Sequence, residues 1–269
     1  MQYDPIKKSL GYLFGKTPFA RKLFYRLLDV LLLRSWHVRK ALKDIATTLP
    51  EGAEILDAGA GFGQYTWRMA SMNKTWKISA IDIKEEQVAD CNRFFHQTGV
   101  SDRVLYTTGD LTSFYGPPRY NLILSVDVME HIVDDTAVFR IFFDTLKPGG
   151  TLVISTPSDK GGSDVHEHSD NSFIDEHVRD GYNMNAIIKT LSDIGFSSVS
   201  AIYTYGKAGS VAWRLSMKYP IKLLNFSALF YLILPFYYLL VMPLVLVLNL
   251  IDVSSVHASG TGLLVRAVK

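Results

Sequence analysis

Cysteine is almost missing: Cys91 is the one thiol in 269 residues. That excludes a disulfide framework and any site built on several thiolates, and it suits a reducing compartment. Acidic residues are scarce at both ends. Residues 1–50 hold 10 Lys/Arg against 3 Asp/Glu, and residues 206–269 hold 6 against 1. Charge of either sign is absent from the 29 residues between Lys222 and Asp252. The net charge of +2 therefore conceals a middle block, 51–205, with 12 basic and 22 acidic residues. With 48% hydrophobic and 20% charged residues the chain has ample material for a core and is not of disordered composition. Its length suits one elaborated domain better than two.

The uncharged run reads LLNFSALFYLILPFYYLLVMPLVLVLNLI from Leu223 to Ile251. It exceeds the roughly 20 apolar residues that cross a bilayer as a helix. A buried core helix of that length is rarely apolar on every face. Pro235 and Pro243 divide it into pieces too short to span alone, and a kinked or broken helix is expected. Near the start, Phe19, Leu23, Phe24, Leu27, Leu28, Leu31 and Leu32 recur at helical spacing, with Arg21, Lys22 and Arg26 off that stripe and Lys7, Lys8 and Lys16 ahead of it. Basic amphipathic helices lie in the plane of anionic membranes; the plainer reading is a helix packing its stripe on the domain. The opening Met1-Gln-Tyr-Asp-Pro has no apolar stretch, so no signal peptide is expected.

In the middle block the period changes. Strands are expected from Glu54 running into the glycine turn Gly59–Gly63, and at Lys77–Asp82, Arg103–Asp110, Tyr120–Asp127 and Gly150–Thr156, with helices near Gln64–Met72 and Glu85–Gln97. Strands alternating with helices form βαβ units and a parallel sheet, whose ligands bind beyond the carboxyl ends of the strands. Asp57, Asp82, Asp110 and Asp127 all fall at those ends and describe one rim. Gly59, Gly61 and Gly63 are spaced GxGxG, one residue shorter than the dinucleotide fingerprint GxGxxG. Asp57, two residues before the first glycine, would repel a pyrophosphate but could order the loop or receive an ammonium. Asp82 can take two ribose hydroxyls. The ligand so described has an adenosine end and a cationic, phosphate-free end, as S-adenosylmethionine does.

Asp57-Ala-Gly-Ala-Gly-Phe-Gly63, Asp82, Gly109-Asp110-Leu111, Ser125-Val-Asp127-Val-Met-Glu130-His131 and Leu146-Lys-Pro-Gly-Gly150 together resemble the successive motifs of class I S-adenosylmethionine-dependent methyltransferases, in order and over about residues 50–160. The resemblance implies an α/β fold with a seven-stranded Rossmann-like sheet whose last strand is antiparallel. It implies a loop of Gly59, Ala60, Gly61 and Gly63 under the amino-acid part of the cofactor, Asp82 and Ile83 at the ribose, Asp110 and Leu111 bordering the adenine, and Asp127 near the methyl group. Ser125-Val-Asp-Val differs from the Asn/Asp-Pro-Pro-Tyr/Phe of enzymes that methylate DNA adenine or glutamine amides. An acidic catalytic block also argues against a nucleic-acid partner.

Transfer from a sulfonium is an in-line displacement, and an oxygen acceptor benefits from a base. Asp127-Val-Met-Glu130-His131 resembles the element of ubiquinone-pathway and small-RNA 2′-O-methyltransferases that holds a divalent cation, though those usually begin with Glu. Three readings stay open: Asp127, Glu130 and His131 as metal ligands, His131 as general base with Glu130 beside it, or a purely structural cap. His166, His168 and His177, in a long polar segment after the fifth strand, are candidates for the acceptor pocket.

Ser198–Tyr205 and Gly262–Lys269 are expected as the sixth and seventh strands. The chain then divides into basic N-terminal helices (1–49), a methyltransferase core (50–205 and 260–269) and an apolar insertion (206–259). One crossing would strand the seventh strand across the membrane, and two need about 40 apolar residues. A proline-broken hairpin entering one leaflet satisfies both limits. The expectation is a monotopic enzyme on the cytoplasmic face of a membrane, acting by O-methylation on a lipophilic acceptor: a quinone, polyprenyl compound, glycolipid or other lipid. Its rivals are a soluble small-metabolite methyltransferase whose insertion is an oligomer interface, and a membrane-recruited module that uses the cofactor structurally.

Overall fold

The sheet grows from five short runs whose apolar residues lead into glycine or acid. A computed structural model describes residues 17–161, 178–227 and 230–269. Seven strands are formed: β1 (Glu54–Ala58), β2 (Lys77–Asp82), β3 (Val104–Thr108), β4 (Tyr120–Val126), β5 (Leu146–Pro157), β6 (Ser198–Thr204) and β7 (Gly262–Val268), ordered 3-2-1-4-5-7-6. The first five are parallel, and β7 runs antiparallel to both neighbours. β1 and β4 are near-continuously apolar because helices cover both faces of the sheet. One core layer packs Ile55, Ile78, Phe95, Tyr106 and Leu122; the other packs Leu56, Ile123, Phe139, Phe142 and Val265.

The helices of the core are α3 (Gln64–Met72), α4 (Glu85–Gln97), α5 (Asp135–Thr145) and α6 (Met184–Ile194). Ahead of them, α1 (Pro18–Leu31) and α2 (Leu33–Ala46) are separated by Leu32, whose backbone is extended. The amphipathic stripe of α1 is turned the other way from an ordinary surface helix. Its buried residues are Arg21, Tyr25 and Asp29, while Phe19 is 79% exposed and Leu23, Leu27 and Val30 are also exposed.

Between β6 and β7 the chain forms α7 (Lys207–Trp213), a π-helical turn (Arg214–Lys218), α8 (Tyr219–Phe226) and α9 (Phe230–Ser254). Gly209 bonds Asp252, Leu215 meets Tyr237 and Ser216 meets Tyr238, so the two arms run antiparallel. The Tyr237 and Tyr238 hydroxyls donate to the Leu215 and Ser216 carbonyls at 2.7 and 2.8 Å, where the widened turn alters the backbone ladder. Of the kinked or broken helix expected at the prolines, the break is not found. Pro235 and Pro243 lie inside a continuous 25-residue helix. Each removes one donor only, the rest of the ladder carries the helix past it, and the arms reverse instead after Phe226.

Asp252 ties this hairpin to the domain. It is fully buried, accepts from His37 at 2.8 Å, Tyr205 N–H at 3.2 Å and Gly209 N–H at 3.0 Å, and lies 3.2 Å from the His257 ring. Burial works to raise its carboxyl, but the His37 hydrogen bond, the charges of His257 and His37 and the Gly209 N–H outweigh it and hold the group below the usual carboxylate range.

Candidate active site

The glycine loop starts where β1 ends, and backbone bonds from Gly59 and Ala60 to the Ile81 carbonyl hold it against β2. Gly59, Gly61 and Gly63 all have positive φ, which only glycine adopts without strain. At Gly59 a side chain would also collide with Val128, 2.3 Å from an added Cβ, so this glycine lets the loop meet the turn after β4. Gly59→Ala is expected to cost about 2 kcal/mol of stability, checked by denaturant titration, and to loosen cofactor binding.

Asp82, at the end of β2, accepts from Gly61 N–H at 2.8 Å and Lys84 N–H at 3.0 Å. The neighbouring Ile83 is 67% exposed, an apolar side chain at the mouth of the site. A half-exposed carboxylate with lone pairs to spare, an exposed apolar neighbour and a backbone loop with no Cβ in the way suit the ribose, adenine and amino-acid parts of S-adenosylmethionine. Asp110 is exposed and caps a turn by accepting from Thr112 N–H at 2.9 Å, whereas Leu111 is turned into the core.

Asp57 does not join that rim. It is 2% exposed and accepts from Thr66 Oγ1 at 2.5 Å, and Thr66 in turn meets the buried Tyr106 hydroxyl at 2.9 Å. Burial pushes its carboxyl up to about 7, against the Thr66 hydrogen bond. Of the roles expected of Asp57, this geometry serves the ordering of the loop, through the first turn of α3.

The fourth motif forms a tight 3₁₀ turn, Met129–His131. Glu130 is turned inward: it is 1% exposed and accepts from Thr156 Oγ1 at 3.1 Å, and burial raises its carboxyl. It supports the turn without reaching the acceptor side, while His131 stays half-buried beside it. Among the described residues no three His, Cys, Asp or Glu side chains converge as a metal group. Of the candidate metal set Asp127, Glu130 and His131, Glu130 points to Thr156 and Asp127 pairs with Arg34, so the two carboxylates engage separate partners. His166, His168 and His177 lie outside the described residues. Beyond them, Arg179 pairs with Asp135 and donates to the Ile132 carbonyl at 2.6 Å, and the Tyr182 hydroxyl donates to the Met129 carbonyl at 3.0 Å. Arg179 and Tyr182 therefore clamp the His131 turn from the side.

Sequence reasoning passed over the roles of two residues at the rim, Arg34 and Tyr205. The Arg34 guanidinium, from α2, pairs with Asp127, and the Arg34 N–H donates to the Tyr205 hydroxyl at 2.9 Å. Asp127 (φ 52°) and Tyr205 (φ 56°) are the non-glycine residues with left-handed backbone among those described. Such strain gathers at functional sites, and Arg34 touches both. An arginine with no sequence motif around it gives no signal of this kind in advance. α1 reaches the site too: Arg21 donates to the Phe62 carbonyl at 3.0 Å, the Tyr25 hydroxyl donates to the same carbonyl, and Gln64 donates to Asp29 at 2.8 Å. The glycine loop is thereby held from above by the N-terminal helix.

A methyltransferase-domain family model matches residues 20–200. A phosphoethanolamine N-methyltransferase of Triticum aestivum is 30% identical over 154 residues, 57% of this chain and 30% of that enzyme. A ubiquinone biosynthesis O-methyltransferase of Xanthomonas euvesicatoria pv. vesicatoria is 32% identical over 106 residues, 39% of this chain and 43% of that one. The chain thus covers well under half the length of both. Among solved structures, phosphoethanolamine N-methyltransferase 2 of Haemonchus contortus, in complex with phosphomonomethylethanolamine and S-adenosylhomocysteine, superposes with a TM-score of 0.60 at 20% identity, covering 87% of this chain and 52% of that one.

Proposed function

The chain belongs to the methyltransferase-domain family, of the class I S-adenosylmethionine-dependent type, and from that premise we propose that it methylates a lipophilic acceptor at a membrane surface, with oxygen as the acceptor atom. Bound S-adenosylmethionine supplies an electrophilic methyl on a sulfonium. Asp82 holds the ribose hydroxyls, and the loop from Gly59 to Gly63 supports the amino-acid end. Asp127, paired with Arg34, would stand on the methyl side of the bound group. His131 would take the proton from the acceptor hydroxyl as that oxygen receives the methyl. The acceptor is a quinone, polyprenyl compound, glycolipid or other lipid.

The observation that carries the membrane reading is the outward apolar surface. Of the most apolar 18 residues of α9, 6% are buried, and Leu232, Phe236, Leu239, Leu240, Val247 and Leu250 stand exposed along it. At about 1.5 Å per residue α9 is roughly 37 Å long, enough by itself to cross the ~30 Å apolar core of a bilayer. Its partner arm cannot make the return crossing, because it carries Lys207, Arg214, Lys218 and Lys222. β6 and β7 are paired neighbours, so both ends of the insertion share one side. A hairpin lying in one leaflet reconciles these facts, with the exposed leucines of α1 beside it.

Flotation with vesicles tests the reading. Wild-type protein is expected to rise with phosphatidylcholine vesicles, and Leu239→Glu/Leu240→Glu to lower partitioning at least ~10-fold, since each change withdraws a leucine's worth of apolar burial. A wild-type protein that stays at the bottom of the gradient as a defined oligomer would sink the proposal in favour of an interface between copies. Mass spectrometry of co-purified lipid with isotopically labelled cofactor then identifies the methylated product.

A further inference from the structure

The Arg34–Asp127 ion pair stands where a charge on the cofactor would be felt. Asp127 follows β4 and donates its N–H to the Ser155 carbonyl at 2.9 Å. The next residue, Val128, fills the space that a side chain at Gly59 would need, so the turn carrying the carboxylate abuts the glycine loop. Asp127 has left-handed backbone, which a non-glycine residue keeps only when its surroundings hold it there.

Part of that hold comes from α2. Leu32 offers no side chain to cap this helix. The Tyr205 hydroxyl does so instead, accepting from Arg34 N–H at 2.9 Å. One turn on, His37 meets Asp252 at 2.8 Å, and a turn later the Lys40 ammonium donates to the Val253 carbonyl at 2.8 Å. Successive turns of α2 are thus pinned to the two feet of the hairpin, which gives the Arg34 guanidinium a fixed origin. Its charge also reaches Glu130, where it acts against the effect of burial.

A sulfonium is a cation in the reactant and a neutral thioether in the product. An unbalanced carboxylate beside it would hold the reactant more tightly than the transition state, where that charge is already dispersing, and would slow the transfer. A carboxylate balanced by a guanidinium exerts no such grip. We propose that Arg34 is a positioning residue for methyl transfer: its ion pair fixes the Asp127 carboxylate on the methyl side and cancels its charge, so that the site does not overbind the sulfonium form of the cofactor. This rests on the placement of Asp127 given above.

Calorimetry on the full-length protein separates charge balance from architecture, because S-adenosylmethionine and S-adenosylhomocysteine differ by the methyl and its charge. The readout is the ratio of their dissociation constants. Arg34→Ala and Arg34→Gln each leave Asp127 unbalanced and are expected to shift the ratio about threefold or more in favour of S-adenosylmethionine. Both side chains keep about a third of their surface exposed, which limits the effect. Arg34→Lys restores the charge and should hold the ratio within about twofold of wild type. Asp127→Asn is expected to shift it the opposite way, and Arg34→Gln/Asp127→Asn to return it close to the wild-type value. Circular dichroism confirms that each variant is folded. Equal weakening of both ligands in the Arg34 variants would show a structural role only and overturn the inference. An unchanged ratio in Asp127→Asn would put that carboxylate away from the methyl and overturn the placement together with the inference. A shifted ratio there, with none in the Arg34 variants, sinks the inference alone.

Discussion

Asp82→Ala is expected to lower affinity for S-adenosylhomocysteine at least about 100-fold, because each charge-assisted hydrogen bond to a ribose hydroxyl contributes about 1.5–3 kcal/mol and two are removed. The change does more than delete a ligand contact. The Asp82 carboxylate accepts from Gly61 and Lys84 N–H groups, so it also shapes the loop that the cofactor's other end crosses. Asp82→Asn sharpens the argument. An amide can present an oxygen to one of those N–H groups and must turn its NH₂ toward the other, so it repairs half the loop and half the ribose contact. Calorimetry is expected to rank wild type, Asn and Ala in that order, with melting temperatures changed little because the residue sits at the rim. Wild-type affinity in the Ala variant would refute the placement of the cofactor.

Asp252→Ala should produce the largest loss of stability, about 3–5 kcal/mol, because removing one partner of a buried ionic network leaves the others unsatisfied. Two imidazoles and the N–H groups of Tyr205 and Gly209 all depend on that carboxylate. For a protein of this size the loss corresponds to a melting temperature lower by roughly 10 °C. Asp252→Asn, which keeps the shape and one acceptor, should lose less. The pH dependence has a definite sign. The folded carboxyl is held below its ordinary value, so its stabilisation is fully present above the unfolded value of about 4 and is lost as the pH falls through the lower, folded one. In Asp252→Ala this part of the acid sensitivity disappears, which denaturant titrations at several pH values below neutrality would detect.

The βαβ alternation, the strand ends and the glycine loop were legible in the sequence because each is a local pattern: period-two apolar runs, turn glycines, an acid where a parallel strand stops. α3 and α4 begin and end where their spacing indicates. The last antiparallel strand was legible through the motif resemblance, since no local feature of Gly262–Val268 distinguishes its direction. Orientation was much less legible. Asp57 reads as a rim acid, but the register of β1 turns it inward onto Thr66. Glu130 and His131 are adjacent, and one 3₁₀ turn sends only the glutamate into the core. Pro235 and Pro243 read as breaks, yet helix already nucleated on both sides continues through them. Arg34, Tyr205 and Asp252 come from three distant parts of the chain, and nothing in a linear pattern brings such residues together. Asp252 had one clue, as the lone acid in the last 64 residues.

The reversed helix α1 couples two surfaces that usually act separately. Its outward edge, Phe19, Leu23, Leu27 and Val30, is the part a lipid would meet, and its inward edge, Arg21 and Tyr25, grips the carbonyl of Phe62 inside the cofactor loop. Free energy that orders α1 from outside is shared with that loop, and by reciprocity a filled cofactor site must return the same amount to α1. Under the proposed membrane placement the helix would act as a common hinge pin: lipid on one side and nucleoside on the other would each tighten the fit of the other, without any residue that touches both.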